Sequence, residues 1–478
     1  MVKTTVPRIL VAGSGPQAGK SLAVLGLLVA LRKQGLSVSC CITGESLHLG
    51  LVYSRITRRY TRVLDRAMLG RSELLSAIYQ ASLGADIVII DGQGGLFDGR
   101  MPGSIVGSDA EIAAMTGTPV IVVHEPADLS AGIVPLVRSM TGRADGPNVV
   151  GLIANRLPAN AEGDPFLPHP GILTLNRHLE AENLPAFIGG IPFSPAPLVL
   201  PASELSQEEN CTSLPRQLFI DAGNLAHNHI EIDLLRKLAS MAAPLEVSPL
   251  VEQPSSRLCR FAVTDDSCFN LCYQDNLDLI RYCGAEIVAF SPLADSALPR
   301  RVGGLYVTGA YLKSYGEDLS RNNSLRRSIK QFADAGGVVY SEGAGTAYLC
   351  RSFQLEKGGP TFPGVGLIPA DAFPVPQQRS SVDVETVDDS VLGFSGLALR
   401  GISTGEWALG GRHTGAGHHI VSTFRVQMPG REPVHEGYSA TSQSCSTFHF
   451  LHFASNPLVA KSLVEAAQVF ERTLPARD

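Results

Sequence analysis

Ile9-Leu-Val-Ala-Gly-Ser-Gly-Pro-Gln-Ala-Gly-Lys-Ser21 reads as a short apolar strand, a glycine-rich turn and a Gly-Lys-Ser at the head of a helix. Glycines let backbone amides turn inward around phosphate oxygens, and the helix N-terminus adds positive potential. A lysine at this point reaches the outer phosphates, and the following serine can ligate Mg²⁺. The stretch is therefore a phosphate-binding loop, with Gly13, Ser14, Gly15, Gly19, Lys20 and Ser21 as nucleotide-binding candidates. It departs from strict G-x-x-x-x-G-K-[ST] spacing, because Ser14 stands five before Gly19 and the glycine falls one earlier, at Gly13.

Around this loop the pattern is that of a parallel sheet covered by helices. Residues 37–42, 86–90, 119–123 and 149–153 are further apolar runs, and residues 21–33 carry leucines at helical spacing up to a stop near Gly35. Asp91 ends one of these strands beside the loop, where a direct or water-bridged Mg²⁺ ligand belongs, and Asp98 is the second candidate. Residues 242–256, rich in proline and serine, suit a linker. The expected organisation is α/β with two domains: residues 1–240, a linker at 241–257, and residues 258–478.

The second domain contains Gly336-Gly-Val-Val-Tyr-Ser-Glu-Gly-Ala-Gly-Thr-Ala-Tyr-Leu349, a buried strand, a sharp glycine turn and a helix start. That is a nucleophile elbow with Gly343 where the nucleophile would stand. Helices are expected around residues 276–283 and 321–335, and a terminal helix carries Leu463, Val464, Ala467, Val469 and Phe470 to cover its own domain or a partner.

Composition excludes several classes. The 478 residues exceed one core and suit two domains, each able to bury roughly 70–75% of its unfolded surface. A net charge of −6 without long like-charge runs argues against nucleic acid. Nine cysteines without a repeated CxxC pattern point to reduced, buried thiols and away from zinc. The longest apolar run, residues 22–31, falls short of the ~20 residues that span a bilayer, and no signal peptide precedes the first strand, so the expected location is the cytoplasm.

Several motifs together resemble the cobyrinic acid a,c-diamide synthase family. They are the loop at 13–21, Arg62-Val-Leu-Asp65, Asp91-Gly-Gln-Gly-Gly-Leu-Phe-Asp-Gly99, Gly107-Ser-Asp-Ala-Glu-Ile-Ala113 and Gly151-Leu-Ile-Ala-Asn-Arg156. In the second half, Asp275-Asn-Leu-Asp-Leu-Ile280, Gly284-Ala-Glu-Ile-Val-Ala-Phe-Ser-Pro-Leu-Ala294 and His452-Phe-Ala-Ser-Asn-Pro457 agree. The resemblance implies a dethiobiotin-synthetase-like, phosphate-loop ATP-binding domain followed by a class I glutamine amidotransferase-like domain. It implies ATP and Mg²⁺ as cofactors, Lys20 and Asp91 as catalytic, Ser21 and Asp91 as metal ligands, and Asn155 as reader of the nucleotide base. Family members usually have glutamate at the position of Asp91.

The same resemblance exposes departures. The family's Lys-x-Gly-Pro-Asp-Tyr-Ile-Asp run is Ile42-Thr-Gly-Glu-Ser-Leu-His-Leu49 here, and Leu-Pro-Glu-Arg-His-Leu-Gly-Leu is Leu200-Pro-Ala-Ser-Glu-Leu-Ser-Gln207. Glu45, His48 and Glu204 either substitute for the lost groups or are solvated loop residues. The family's Gly-Gly-Tyr-Pro-Glu near the oxyanion site becomes Gly309-Ala-Tyr-Leu-Lys313. The elbow cysteine aligns with Gly343 and the activating histidine with Phe450, while His449 is expected on the opposite face and Cys350 too far away to act.

Two principal readings follow. One is ATP-dependent amidation of tetrapyrrole or other polycarboxylate side chains with free or partner-supplied ammonia and no glutaminase activity. The other is a non-catalytic ATP- or tetrapyrrole-binding subunit or chaperone, a nucleotide-driven insertase being a weaker variant. The resemblance suggests a homodimer, and the lost ammonia supply a heteromer.

Overall fold

The computed structural model describes residues 2–44, 46–126, 132–142, 146–157, 169–193, 214–248, 256–410 and 421–475. The chain divides into two compact units, residues 1–249 and 250–478. Leu245–Val247, inside the stretch expected as linker, is instead a strand paired antiparallel with Val2–Thr4, so it belongs to the first unit.

The first unit is built on seven parallel strands in the order Arg62–Leu64, Val38–Thr43, Ile87–Gly95, Arg8–Gly13, Val120–His124, Val149–Leu157 and Phe187–Pro192. Arg8–Gly13 lies at the centre with every residue buried, which is why its sequence is a continuous apolar run. Its one charged member, Arg8, sits at the end away from the phosphate loop. There it donates to Thr118 Oγ1 and to the carbonyls of Val6, Thr116, Gly117 and Ala243, and burial pulls its guanidinium down to about 10. The loop thus leaves the middle of the sheet at the strands' carboxyl ends, the usual ligand-binding edge of such folds.

The second unit carries a ten-stranded sheet. Ala285–Phe290, Cys259–Thr264, Gly304–Val307, Val338–Ser341 and Ser444–Ser446 run parallel. Val434–Ser439, Val421–Gln427, Ser380–Thr386, Ala398–Ser403 and His449–His452 continue it antiparallel. A second sheet orders Thr361–Pro363, Cys350–Gln354, Ile368–Pro374 and Trp407–Gly410. The helix expected around residues 321–335 is Asn323–Asp334, capped by Asn322, whose Oδ1 accepts from Leu325 N at 3.2 Å; a separate helix, Leu312–Arg321, precedes it.

The terminal helix, Leu458–Thr473, covers its own unit: Leu463, Val464 and Ala467 are buried, and Phe470 packs edge-on to Phe332 with centroids 5.5 Å apart. Val469 remains 65% exposed. Among the described residues no helix is long and apolar enough to cross a membrane, and the eight described cysteines are free thiols.

Candidate functional site

The helix Lys20–Lys33 starts from Gly19, whose φ of +88° is left-handed backbone suited to glycine. Asn155 closes over it. Its Nδ2 donates to Ala18 O at 3.0 Å, and a Cβ on residue 19 would lie 1.9 Å from that nitrogen. A Cβ on Gly13 would meet Gly15 O at 2.6 Å, so the loop folds back where the glycine is displaced from the usual spacing. Gly15 has open space at its Cβ position. Ser14 is tied to the neighbouring strand through its N–H to Val123 O and its hydroxyl to His124 Nδ1, 2.8 Å away. The buried Lys20 side chain lies across Gly13.

Asp91 is brought to the loop by Ile87–Gly95. Its Oδ2 accepts from Tyr53 Oη at 2.6 Å and Ser21 Oγ at 3.2 Å, while Oδ1 is buried without a hydrogen-bond partner among the described residues. Burial pushes this carboxyl up to about 6, against the hydrogen bond from Tyr53, the charge of Lys20 and the hydrogen bond from Ser21. Asp109 stands close by, at the first turn of Asp109–Thr116, a helix capped by Ser108. Its Oδ1 accepts from Thr43 Oγ1 at 2.7 Å and Gln93 N at 3.1 Å, and its buried Oδ2 is again without a partner. Burial pushes it to about 7, and the negative charge of Asp91 adds to the rise.

Two buried carboxylates, each with one oxygen hydrogen-bonded and one unpaired, beside Lys20 and Ser21, form an oxygen-only donor set of the kind Mg²⁺ takes. Among the described residues no three His, Cys, Asp or Glu side chains group as a complete metal cage. A cation here would therefore complete its shell with phosphate and water oxygens, as Mg²⁺ does in nucleotide sites. Asp98, the second candidate, is exposed and accepts from Gly95 N at 2.7 Å, a turn-forming role. Asp109, Tyr53 and Thr43 were not singled out as site residues from sequence. The only signal for Asp109 was its place in the 107–113 motif.

On the expected substrate side, Gly44 has φ +73° and carries the Gln93 side chain against it. Ser46 caps the helix Leu47–Thr57, in which His48 is buried. Glu45 and residues 200–207, including Glu204, lie outside the described residues. Asp65 accepts from Arg100 Nη2 at 2.5 Å and from Ala67 N at 2.7 Å, joining the 62–65 motif to the segment after Asp98.

In the second unit, Val338–Ser341 leads through Glu342 to Gly343, with φ +55° and ψ −137°, and then into Ala344–Leu349. The elbow backbone is intact. Phe450 occupies the space a side chain there would need: a Cβ on Gly343 would lie 2.6 Å from its Cζ, and one on Gly309 would lie 2.5 Å from the same ring. Behind the elbow, Glu342 is fully buried and accepts from Tyr306 Oη, Tyr340 Oη and Leu451 N. Burial raises its carboxyl to about 7, opposed by those three hydrogen bonds. Cys350 is buried at the start of its own strand, its Sγ 3.4 Å from Thr346 O, and burial holds the thiol far above its ordinary range. His449, next to Phe450 on the last strand, is buried with Nε2 3.9 Å from Glu436 Oε2.

Residues 260–450 match the model of the CobB/CobQ-like glutamine amidotransferase domain, and residues 2–137 match that of a P-loop domain of unknown function, DUF1611_C. A cobyrinate a,c-diamide synthase of Synechocystis is 30% identical over 374 residues, 76% of this chain and 73% of the relative. The chain belongs to the cobyrinate a,c-diamide synthase family. The synthase of Leptospira interrogans is 29% identical over 464 residues, covering 96% of this chain and 98% of its own, and that of Priestia megaterium is 29% identical over 372 residues, 76% of each. In this chain the carboxylate of Asp109 stands beside that of Asp91, and the Gly343 turn is packed by Phe450.

Proposed function

We propose that the chain amidates side-chain carboxylates of a tetrapyrrole, using ATP bound in its first unit and ammonia taken from solution or from a partner protein. The activity printed in its relatives' names supports ATP-dependent amidation in general. The observation that carries the finer reading is a contrast: Asp91, held by Ser21 and Tyr53 beside Lys20, keeps one buried oxygen unpaired, whereas Phe450 fills the turn that a glutaminase leaves for its nucleophile. Without a thiol at the elbow there is nothing to attack the glutamine amide.

In the reaction a substrate carboxylate oxygen attacks the γ-phosphorus of ATP, and ADP leaves with the electrons of the broken P–O bond. Ammonia then adds to the acyl carbon, phosphate departs as the C–N bond forms, and the surplus proton passes to solvent. Lys20 offsets the charge gathering on the transferred phosphoryl group. Ser21 and Asp91 would hold Mg²⁺, which neutralises phosphate charge when bound. Gly13, Ser14, Gly15 and Gly19 shape the cradle. The resemblance gives Asn155 the nucleotide base; its amide contact with Ala18 assigns it at least the bracing of the loop on that side.

A second reading, a subunit that binds nucleotide and tetrapyrrole without turnover, is favoured by the 42–49 segment. There the positions of two family aspartates hold the capping Ser46 and Leu49. The test is purified protein with ATP, Mg²⁺ and a panel of corrinoid and sirohaem-type carboxylates, supplied with ammonium or with glutamine. Expected are phosphate release and products changed from acid to amide with ammonium, and none with glutamine alone. Glutamate release that thiol alkylation abolishes would overturn the ammonia assignment. Ligand binding without phosphate release under either condition favours the second reading.

A further inference from the structure

The strand next to the phosphate loop, Val120–His124, ends on a histidine that the proposed amidation does not use. Its register sets Val123 beside Gly13 on one side and His124 beside Ala154 on the other. His124 therefore stands at the carboxyl edge of the sheet, between the loop and Asn155, where ligands of such folds lie. The residue is half-buried.

Two hydrogen bonds tie the ring to the loop's function. The Ser14 N–H donates to Val123 O at 2.9 Å, so this amide is engaged by the neighbouring strand and does not serve a phosphate oxygen. Ser14 Oγ lies 2.8 Å from His124 Nδ1. Among the described residues neither that hydroxyl nor Nε2 of the ring has another partner, and Nε2 is not closed off from solvent. Because the two ring nitrogens flank one carbon, Nε2 stands within a ring's width of the loop. Burial lowers the imidazole from its ordinary range, against the charge of Glu125, so at neutral pH the ring is neutral and carries one proton. In a neutral imidazole the hydrogen bond made at one nitrogen decides which nitrogen holds that proton. The Ser14 hydroxyl has one hydrogen to give, and giving it to Nδ1 leaves the ring proton on Nε2. Glu125 Oε2 is meanwhile taken by Arg156 Nη1 at 2.6 Å, so the adjoining carboxylate is paired elsewhere.

We infer that His124 is a nucleotide-binding residue: Ser14 donates its hydroxyl proton to Nδ1, and Nε2–H donates to an oxygen of the bound nucleotide's phosphate chain. The ring thereby supplies the donor that the Ser14 amide withholds. The inference rests on the nucleotide site of the proposed function, and it gives the loop's displaced glycine a consequence, since the serine at that position sets the tautomer of the histidine.

Two substitutions separate ligand contact from bracing of the loop. In His124→Asn the amide oxygen takes the place of Nδ1 and keeps the Ser14 bond, but nothing reaches the place of Nε2. In His124→Gln the longer side chain carries an amide N–H to the place of Nε2 and gives up the Ser14 bond. Affinity for the β,γ-imido analogue of ATP with Mg²⁺ is measured on the full chain by calorimetry, and melting temperature is measured without nucleotide. His124→Asn should melt like wild type and bind the analogue about tenfold more weakly, the loss of one hydrogen bond to a charged group. His124→Gln should melt earlier and bind close to wild type. The reverse order, with His124→Gln the weaker binder, would mean that the ring only braces the loop and would overturn the inference. Lys20→Ala marks the phosphate site. Wild-type protein that binds no analogue, or binds it as well as Lys20→Ala does, overturns the nucleotide site and this inference together. Binding that depends on Lys20 but is unchanged in His124→Asn overturns this inference alone.

Discussion

The turn at residues 13–21 and the turn at residues 341–346 are assembled from the same parts and have met opposite fates. Each joins a buried parallel strand to a helix through a glycine with left-handed backbone, Gly19 at φ +88° and Gly343 at φ +55°. At the first, polar groups converge: Lys20, Ser21 and the buried, unpartnered oxygens of Asp91 and Asp109. At the second, an aromatic ring fills the turn, and the nearest acid, Glu342, is sealed behind it by two tyrosines and a backbone amide. The turn itself is therefore maintained by strand burial and glycine geometry and needs no chemistry to persist. A non-glycine residue held in such a conformation costs about 1–3 kcal/mol, which a working nucleophile elbow has to offset and which Gly343 avoids.

Lys20→Ala tests the first turn most severely. ATP turnover should fall about 100-fold or more, the usual loss when a charge-stabilising donor is removed from a phosphoryl-transfer or acyl-transfer site. Turnover that stays near wild type in a folded variant would remove the contrast between the turns.

The next effect comes from the acid behind the second turn. The folded state holds the Glu342 proton up to about pH 7, whereas the unfolded chain releases it near pH 4. Its contribution to stability is thus fully present below the unfolded value and is lost as pH rises through about 7, on the order of 3 kcal/mol. Asp91 and Asp109, raised to about 6 and 7, slope the same way. Denaturant melts of wild type and Glu342→Gln at pH 5 and pH 8 isolate one acid from the others. The wild type should lose more stability over that interval, and equal losses would mean that Glu342 is ionised throughout.

Gly343→Ala sets a Cβ 2.6 Å from Phe450 on backbone at φ +55°, and should destabilise by about 2–3 kcal/mol. Adding Phe450→Ala removes the clash, so the double variant should lose less than the sum of the singles by about 1 kcal/mol. Gly343→Cys alone should release no glutamate in a coupled assay, the ring still occupying the nucleophile's place. Measurable release would show that Phe450 yields to the new thiol and that the packed turn does not by itself exclude glutamine hydrolysis.

Much of the scaffold was legible because its signals are local. The strands Val38–Thr43, Val120–His124 and Val338–Ser341 read as apolar runs since parallel strands are buried on both faces. The four-stranded sheet from Cys350–Gln354 to Trp407–Gly410 escaped, as its short strands lie among glycines and prolines without a sustained period. The helix Leu312–Arg321 escaped as well, because an interior glycine, Gly316, and few apolar residues weaken its helical signal. Asp109 and Tyr53 join Asp91 only when two helices and a strand converge, which no spacing along the chain encodes.

By itself the sequence determined that residues 9–21 form a phosphate loop and that position 343 has no thiol. Both follow from residue chemistry and backbone rules acting over a dozen neighbours. Only the tertiary structure decided that Phe450 fills the space between Gly309 and Gly343, that Asp109 stands beside Asp91, and that His124 meets Ser14. These residues are brought together by sheet register and close packing, which act across the whole unit and leave little trace in any local stretch.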